Sequence, residues 1–357
     1  MFDKIKKKID SKKGSKNPFW ISLYWSKYLL WWSVSKINKN KFVKERVKKE
    51  NLKILYIYDF KDWALHNVGK LWLNNQDNIK TTFISFEESK KEDFSKYDFI
   101  WFSYLDLFLE TPYDINKSII SIHDPMELFA SKKNWKRTFL IFSKEEYKFY
   151  KKRKKVINLL RNSNNLVVTS IEMKNMLKKY NLKSKILITN SLLKKRDLRS
   201  IKTNKCEIIS VLREYKRKNI PLLNSIIKEC NKLNIKFDSK IGKIILPEKE
   251  YLKLLDKHEI YICTSYQEGG PLPAFDAMKR GCVILTTPVG QIQEIIENGK
   301  NGFICKNKKE FIKKIIILKN NPKLLNKLRK NSLKTILKKR NDKIIKSKVR
   351  KFLASLN

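Results

Sequence analysis

From residue 52 onward, short β-branched or aromatic runs alternate with polar, helix-forming stretches, and that alternation leaves few folds open. Candidate strands lie at 52–58, 81–85, 99–104, 118–123, 166–169 and 185–189. At 190–205 the apolar periodicity lapses into a Lys/Arg-rich linker, after which a second series begins. It has strands at 208–212, 235–241, 260–264, 282–286 and 303–305, with helices at 220–233, 249–256, 271–280 and 291–297. From Lys308 the tail reads as two or three lysine-rich helices. Strands that alternate with helices close into a parallel sheet covered on both faces. Two such series joined by one linker predict two Rossmann-like α/β domains facing across a cleft, with ligands at the carboxyl ends of the strands. The expected boundaries are 1–50 for a basic, aromatic segment, 51–200 and 201–338 for the two domains, and 339–357 for a C-terminal helix that can return to the first domain.

The 357 residues carry 80 Lys and Arg against 35 Asp and Glu, a net charge of +45, and 42% are hydrophobic. That hydrophobic fraction supplies real cores and excludes global disorder. The charge favours phosphorylated ligands and acidic surfaces. The lysines are nevertheless spread over the whole chain, as a composition bias without local purpose would leave them. A nucleic-acid binder interleaves aromatics with its basic residues in a groove, whereas here aromatics concentrate in one N-terminal block, so no nucleic-acid partner is expected.

That block, at 19–35, holds Trp20, Tyr24, Trp25, Tyr28, Trp31 and Trp32 behind Pro18, a residue suited to a helix start. It has Lys27 in its middle and falls short of the ~20 apolar residues of a bilayer span. It reads either as an interfacial helix on an anionic membrane surface or as a core helix packed on the next domain. The first reading places the protein in the cytoplasm, peripheral at the inner face of the cell membrane. A long basic amphipathic helix is expected at 144–161. Five cysteines (Cys206, Cys230, Cys263, Cys282 and Cys305) without CxxC spacing argue against a zinc site or a disulfide framework. The histidines His66, His123 and His258 are scattered and no D-x-D pair occurs, so neither a protein-bound metal nor a cofactor is expected.

The most informative stretch is TSYQEGGPLPAFDAMKRG, at 264–281. A strand ends at Thr264, then Glu268, Gly269, Gly270, Pro271 and Leu272 lead into a helix carrying Asp276. Glycines after a strand let backbone approach a ligand, and a helix start offers N–H groups to phosphate. Glu268 and Asp276 can then face one hydroxyl-rich ligand from different ends.

This stretch resembles the E-x7-E signature of the GT4-type (glycosyl transferases group 1) retaining glycosyltransferases of the GT-B fold, with Asp276 in place of the second Glu. The surrounding frame matches at Ser265, Glu268, Gly269, Pro271, Leu272, Asp276, Ala277, Met278 and Gly281. Arg213 and Lys218 resemble the family's R-x4-K, with Asn219 replacing the usual following Gly. Gly290 and Glu294 resemble its G-G-x-x-E, with Gln291 for the second Gly, and Asn301-Gly302-Phe303 its N-G-[FL] turn. In the first domain Asn67 and Gly69 are expected in the loop that approaches the transferred sugar, His123 beside the reacting sugar, and Asn190 at the opening of the interdomain segment.

The resemblance implies transfer of a sugar, with retention, from a nucleoside-diphosphate donor to a glycan or lipid-linked acceptor. Arg213 and Lys218 would hold the leaving diphosphate, helped by N–H groups at Gly270–Leu272. Glu268 would hold sugar hydroxyls and Asp276 the ribose. The rivals are a GT-B scaffold without catalysis, a sugar-nucleotide enzyme such as an epimerase, and, from charge alone, a nucleic-acid-binding protein.

Overall fold

The computed structural model describes residues 52–123 and 154–356, apart from 63, 75, 112, 190–194, 198–200, 202–204 and 243–245. The N-terminal aromatic block, Asn190 and most of the basic helix expected at 144–161 lie outside the described residues; 154–160 is helical.

The first series forms one sheet from β1 (Leu52–Tyr58), β2 (Ile79–Ser85), β3 (Phe99–Phe102), β4 (Ser118–Ile122), β5 (Leu166–Val168) and β6 (Ser184–Ile186). Its spatial order is β2-β1-β3-β4-β5-β6, with every pairing parallel. The second sheet comprises β7 (Ile208–Leu212), β8 (Phe237–Ile241), β9 (Ile260–Cys263), β10 (Val283–Thr286) and β11 (Gly302–Ile304), in the parallel order β11-β10-β9-β7-β8. Each sheet therefore starts inside: β1 lies between β2 and β3, and β7 between β8 and β9. Successive connections run in opposite directions from those two strands, which opens a crevice at their carboxyl ends. Burial on both faces explains the continuous apolar strands: Ile54, Leu55, Tyr56 and Ile57 are all fully buried.

The helices are α1 (Ala64–Leu73), α2 (Phe86–Ser89), α3 (Leu105–Glu110), α4 (Ile171–Lys178), α5 (Ile220–Lys232), α6 (Glu248–Lys257), α7 (Leu272–Lys279), α8 (Lys308–Lys319), α9 (Pro322–Lys339) and α10 (Asp342–Leu353). Asparagine side chains at 307, 321 and 341 cap the last three, each taking up an N–H the helix start leaves open. Helices α8 and α9 cover the second sheet, burying Phe311, Ile315 and Leu328. Helix α10 packs on the first: Ile345, Val349 and Phe352 share a core with Tyr56, Trp72 and Trp101. Among the described residues no helix is long and apolar enough to cross a membrane.

The stretch 291–297 is not the helix its spacing predicts but a 3-10 turn, Gly290–Glu294. Gly290 opens it at φ +45, and the Gln291 N–H is taken by the Gly269 carbonyl at 3.0 Å. Ile292, Ile295 and Ile296 bury themselves at helical spacing without a regular helix to carry them.

Candidate functional site

Arg213 follows the last residue of β7, and a short turn, Lys216–Lys218, brings the chain to α5. Asn219 stands where the resemblance leads one to expect glycine, at φ 53 and ψ 51. That left-handed region suits Gly, and Asn tolerates it better than other side chains. Asn219 then uses its side chain to accept from Leu222 N–H and cap α5, which glycine could not do. The turn is stitched to the loop after β9: Thr264 Oγ1 donates to the Lys218 carbonyl at 3.0 Å, and Tyr266 N–H to that of Arg217 at 2.8 Å.

Those contacts bring Lys218 onto Glu268. The ammonium donates directly to Glu268 Oε1, which also accepts from Ser265 Oγ at 2.6 Å. Glu268 and Ser265 are buried. Burial would by itself raise the Glu268 carboxyl, but the charges of Lys218 and Arg217, with hydrogen bonds from Lys218 and Ser265, hold it below the usual carboxylate range. The carboxylate is thus ionised and ordered before any ligand arrives.

The glycines after Glu268 serve close approach. A Cβ on Gly269 would lie 1.7 Å from the His123 carbonyl oxygen, one on Gly270 2.5 Å from Gln291 Nε2, and one on Gly290 2.3 Å from the Glu268 carbonyl oxygen. The loop after β9 is therefore pressed between the end of β4 and the turn at 290. Helix α7 starts with proline at 271 and 273, which removes two N–H donors and leaves those of Gly270 and Leu272. Asp276, within α7, accepts from Tyr251 Oη at 3.1 Å. It lies in the second turn of the helix and is half-buried.

Several expected residues do other work. His123 ends β4, but its backbone rather than its ring meets Gly269. The imidazole stacks on Trp72 with centroids 6.0 Å apart, and burial pushes it down to about 4, so it is neutral at pH 7. Its Nε2 is buried with no partner among the described residues. Asn67 and Gly69 are not in a loop: both lie in α1. A Cβ on Gly69 would strike the Tyr56 ring at 2.4 Å, so this glycine admits a core aromatic where a sugar was expected. Asn67 Nδ2 donates to the Asp62 carbonyl at 3.0 Å and braces the loop before α1. Glu294 Oε1 accepts the Ile171 N–H at the start of α4 at 2.7 Å, tying the second sheet's turn to a first-sheet helix. Gln291, the replacement for glycine, accepts from Thr189 Oγ1 at 3.3 Å and from the buried Arg340. Asn301 closes its own turn, donating to the Ile295 carbonyl at 3.0 Å.

Two residues went unnoticed in the sequence. Arg217 is a second cation acting on Glu268, and its guanidinium lies 5.5 Å from the Tyr215 ring centroid. Asp59 follows β1 as Arg213 follows β7, and the Arg213 charge acts on it from the other sheet. Burial nonetheless holds the Asp59 carboxyl above the usual carboxylate range, against hydrogen bonds from the Phe60 and Asp59 backbone and the charges of Arg213 and His66. The available signal was position: a lone carboxylate directly after the first strand of a doubly wound sheet. Among the described residues no group of three or more His, Cys, Asp or Glu converges as a metal centre requires.

Residues 224–335 match the family model described as glycosyl transferases group 1. No curated protein matches the chain in sequence. In three dimensions the chain is similar to Anabaena HepE, solved in complex with UDP-glucose, at TM-score 0.62 and 12% identity, covering 85% of this chain and 100% of that one. It is similar to sucrose-phosphate synthase from Thermosynechococcus elongatus at TM-score 0.62 and 13% identity, over 86% of this chain and 99% of that one. The pneumococcal O-GlcNAc transferase GtfA, in complex with UDP and GlcNAc, is similar at TM-score 0.55 and 17% identity, over 76% and 59% of the two chains. The chain thus has the GT-B fold, and residues 224–335, within its second α/β half, match the glycosyl transferases group 1 model.

Proposed function

We propose that this protein is a glycosyltransferase that binds a nucleoside-diphosphate sugar between its two sheets and transfers the sugar, with retention, to a glycan or lipid-linked acceptor. The observation that carries this reading is the meeting of Arg217 and Lys218, from the loop after β7, with Glu268 and Ser265, from the loop after β9, at the crevice of the second sheet. A diphosphate entering there would draw on the Lys218 ammonium and release Glu268 to accept sugar hydroxyls. Arg213, Lys218 and the N–H groups of Gly270 and Leu272 would then face the charge that develops on the leaving diphosphate, in a dry site where such contacts count most. Asp276 is assigned to the ribose, reached from one side while Tyr251 holds it from the other. His123 is assigned to the sugar side of the cleft through its backbone, which already abuts Gly269.

The net charge of +45 supports attraction to an anionic membrane face, where a lipid-linked acceptor resides. A second reading, a GT-B scaffold without catalysis, draws on one observation: Gln291 and His123 close on the glycines that would approach a donor. A thermal-shift screen of nucleoside diphosphates and nucleotide sugars tests the first reading, since a ligand at ~100 times its Kd adds ~2.7 kcal/mol of apparent stability. Hydrolysis of the stabilising nucleotide sugar separates enzyme from scaffold. No shift with any nucleotide would sink the donor site.

A further inference from the structure

Gln291 brings a buried amide to the loop after β9. Its side chain is fully buried, and its Oε1 accepts from Thr189 Oγ1 at 3.3 Å and from the Arg340 guanidinium. Two donors on one oxygen fix which end of the amide is which, so the other end is the Nε2 donor. Nε2 is buried and has no hydrogen-bond partner among the described residues. It lies against Gly270: a Cβ there would sit 2.5 Å from Nε2, so any side chain at 270 would push the amide away. The Gln291 N–H donates to the Gly269 carbonyl at 3.0 Å, which keeps the residue in register with that loop. A buried donor left over beside a ligand loop is suited to an acceptor atom that the ligand brings.

The charge behind the amide favours an anion. Arg340 is buried, and its Nη1 donates to the Thr189 carbonyl at 2.8 Å as well as to Gln291. Its guanidinium lies 5.0 Å from the Phe275 ring centroid, and among the described residues Glu294 acts on it only through space. Burial brings the Arg340 guanidinium down to about 10, so it keeps its charge at neutral pH. A cation bonded to Oε1 draws electron density through the amide and makes Nε2–H the stronger donor. On the same loop, the N–H groups of Gly270 and Leu272 present the same sign.

We propose that Gln291 is a donor-binding residue whose Nε2 donates to a phosphate oxygen of the nucleoside diphosphate seated at the loop after β9. The inference rests on the donor reading above and adds a contact that the glycine expected at this position could not make. It is tested by calorimetry on the full chain with UDP, GDP and ADP, and by NMR titration with uridine, guanosine and adenosine. Gln291→Glu keeps an acceptor for Thr189 and Arg340 but exchanges the Nε2 donor for a carboxylate oxygen. Gln291→Met removes the donor without adding charge. Both variants should bind the diphosphate that wild type prefers about tenfold more weakly or worse, while the matching nucleoside stays within about twofold. A loss confined to Gln291→Glu would report repulsion through space, and a loss confined to Gln291→Met would report only the support that Oε1 gives. Either result overturns the inference. So does unchanged diphosphate affinity in both variants, or a parallel loss of nucleoside affinity, which would mean a distorted loop. In each of these cases wild-type binding leaves the donor reading standing. Wild-type protein that binds none of the three diphosphates brings down the donor reading and this one with it.

Discussion

Lys218 and Glu268, 50 positions apart in the chain, form a direct ion pair at the carboxyl end of the second sheet, with side chains 16% and 8% exposed. Ser265 completes it with a 2.6 Å hydrogen bond to the same carboxylate oxygen. The pair links the loop after β7 to the loop after β9, so it bears on stability and ligand binding together.

Removing one partner of a buried pair leaves the other charge stranded. Lys218→Met should therefore cost ~3–5 kcal/mol of unfolding free energy, while adding Glu268→Gln should restore part of it. Urea unfolding of the two single variants and the double variant checks this. Simple additivity would mean the pair contributes no coupling.

The same pair predicts a pH dependence. The Glu268 carboxyl is held below its ordinary value in the folded protein, so its contribution to stability is present above the unfolded-state pKa and is lost as pH falls through the lower, folded-state one. The acid limb of the stability curve should therefore include a Glu268 component lying below the usual glutamate range. Glu268→Gln should flatten that component and leave the neutral region's slope unchanged. An unaltered acid limb in the variant contradicts the assignment.

Arg213→Ala should weaken nucleoside-diphosphate binding while the fold persists, by ~1.5–3 kcal/mol for one charge-assisted contact. Calorimetry with UDP and the other nucleoside diphosphates reads this directly. Unchanged affinity would place the phosphate site elsewhere.

Glu268 and Asp276 should divide their labour. Glu268→Gln keeps shape but removes the charge that the proposed function sets beside the reacting sugar, so it should lower kcat more than it raises the donor KM. Asp276→Ala should do the reverse and weaken even the free nucleoside diphosphate. Steady-state kinetics with varied donor decides; equal losses of donor binding alone in both variants refute the division.

Gly269→Ala offers a purely steric test. The added Cβ would fall 1.7 Å from the His123 carbonyl oxygen, a backbone atom that cannot swing aside. The loop after β9 must shift away from the end of β4, so turnover should drop sharply while far-UV circular dichroism is retained. Full activity in this variant would show that the two walls do not need to meet.

The parallel α/β halves were legible from residue 52 onward because apolar period and β-branching are local properties: β1 and β7 fall at 52–58 and 208–212 as their apolar runs indicate. The neighbourhood of Glu268 was legible for a related reason, since a strand, two glycines and a helix start are contiguous in the chain. Locality also misled. Asn67 and Gly69 read as a glycine loop, yet they lie in a helix that buries Val68, Trp72 and Leu73, and Gly69 leaves there the space that the Tyr56 ring fills. The run at 291–297 has helical spacing, yet tertiary contacts of Gly290 and Gln291 with the loop after β9 hold it as a turn. What the sequence could not reveal is which charges meet. Lys218 could pair with any of the chain's 35 acidic residues, and Asp59 could face any of its 80 basic ones. Coulomb attraction depends on distance and burial, and those are decided only when two sheets, each starting from its own inner strand, bring the ends of β1, β4, β7 and β9 to one crevice.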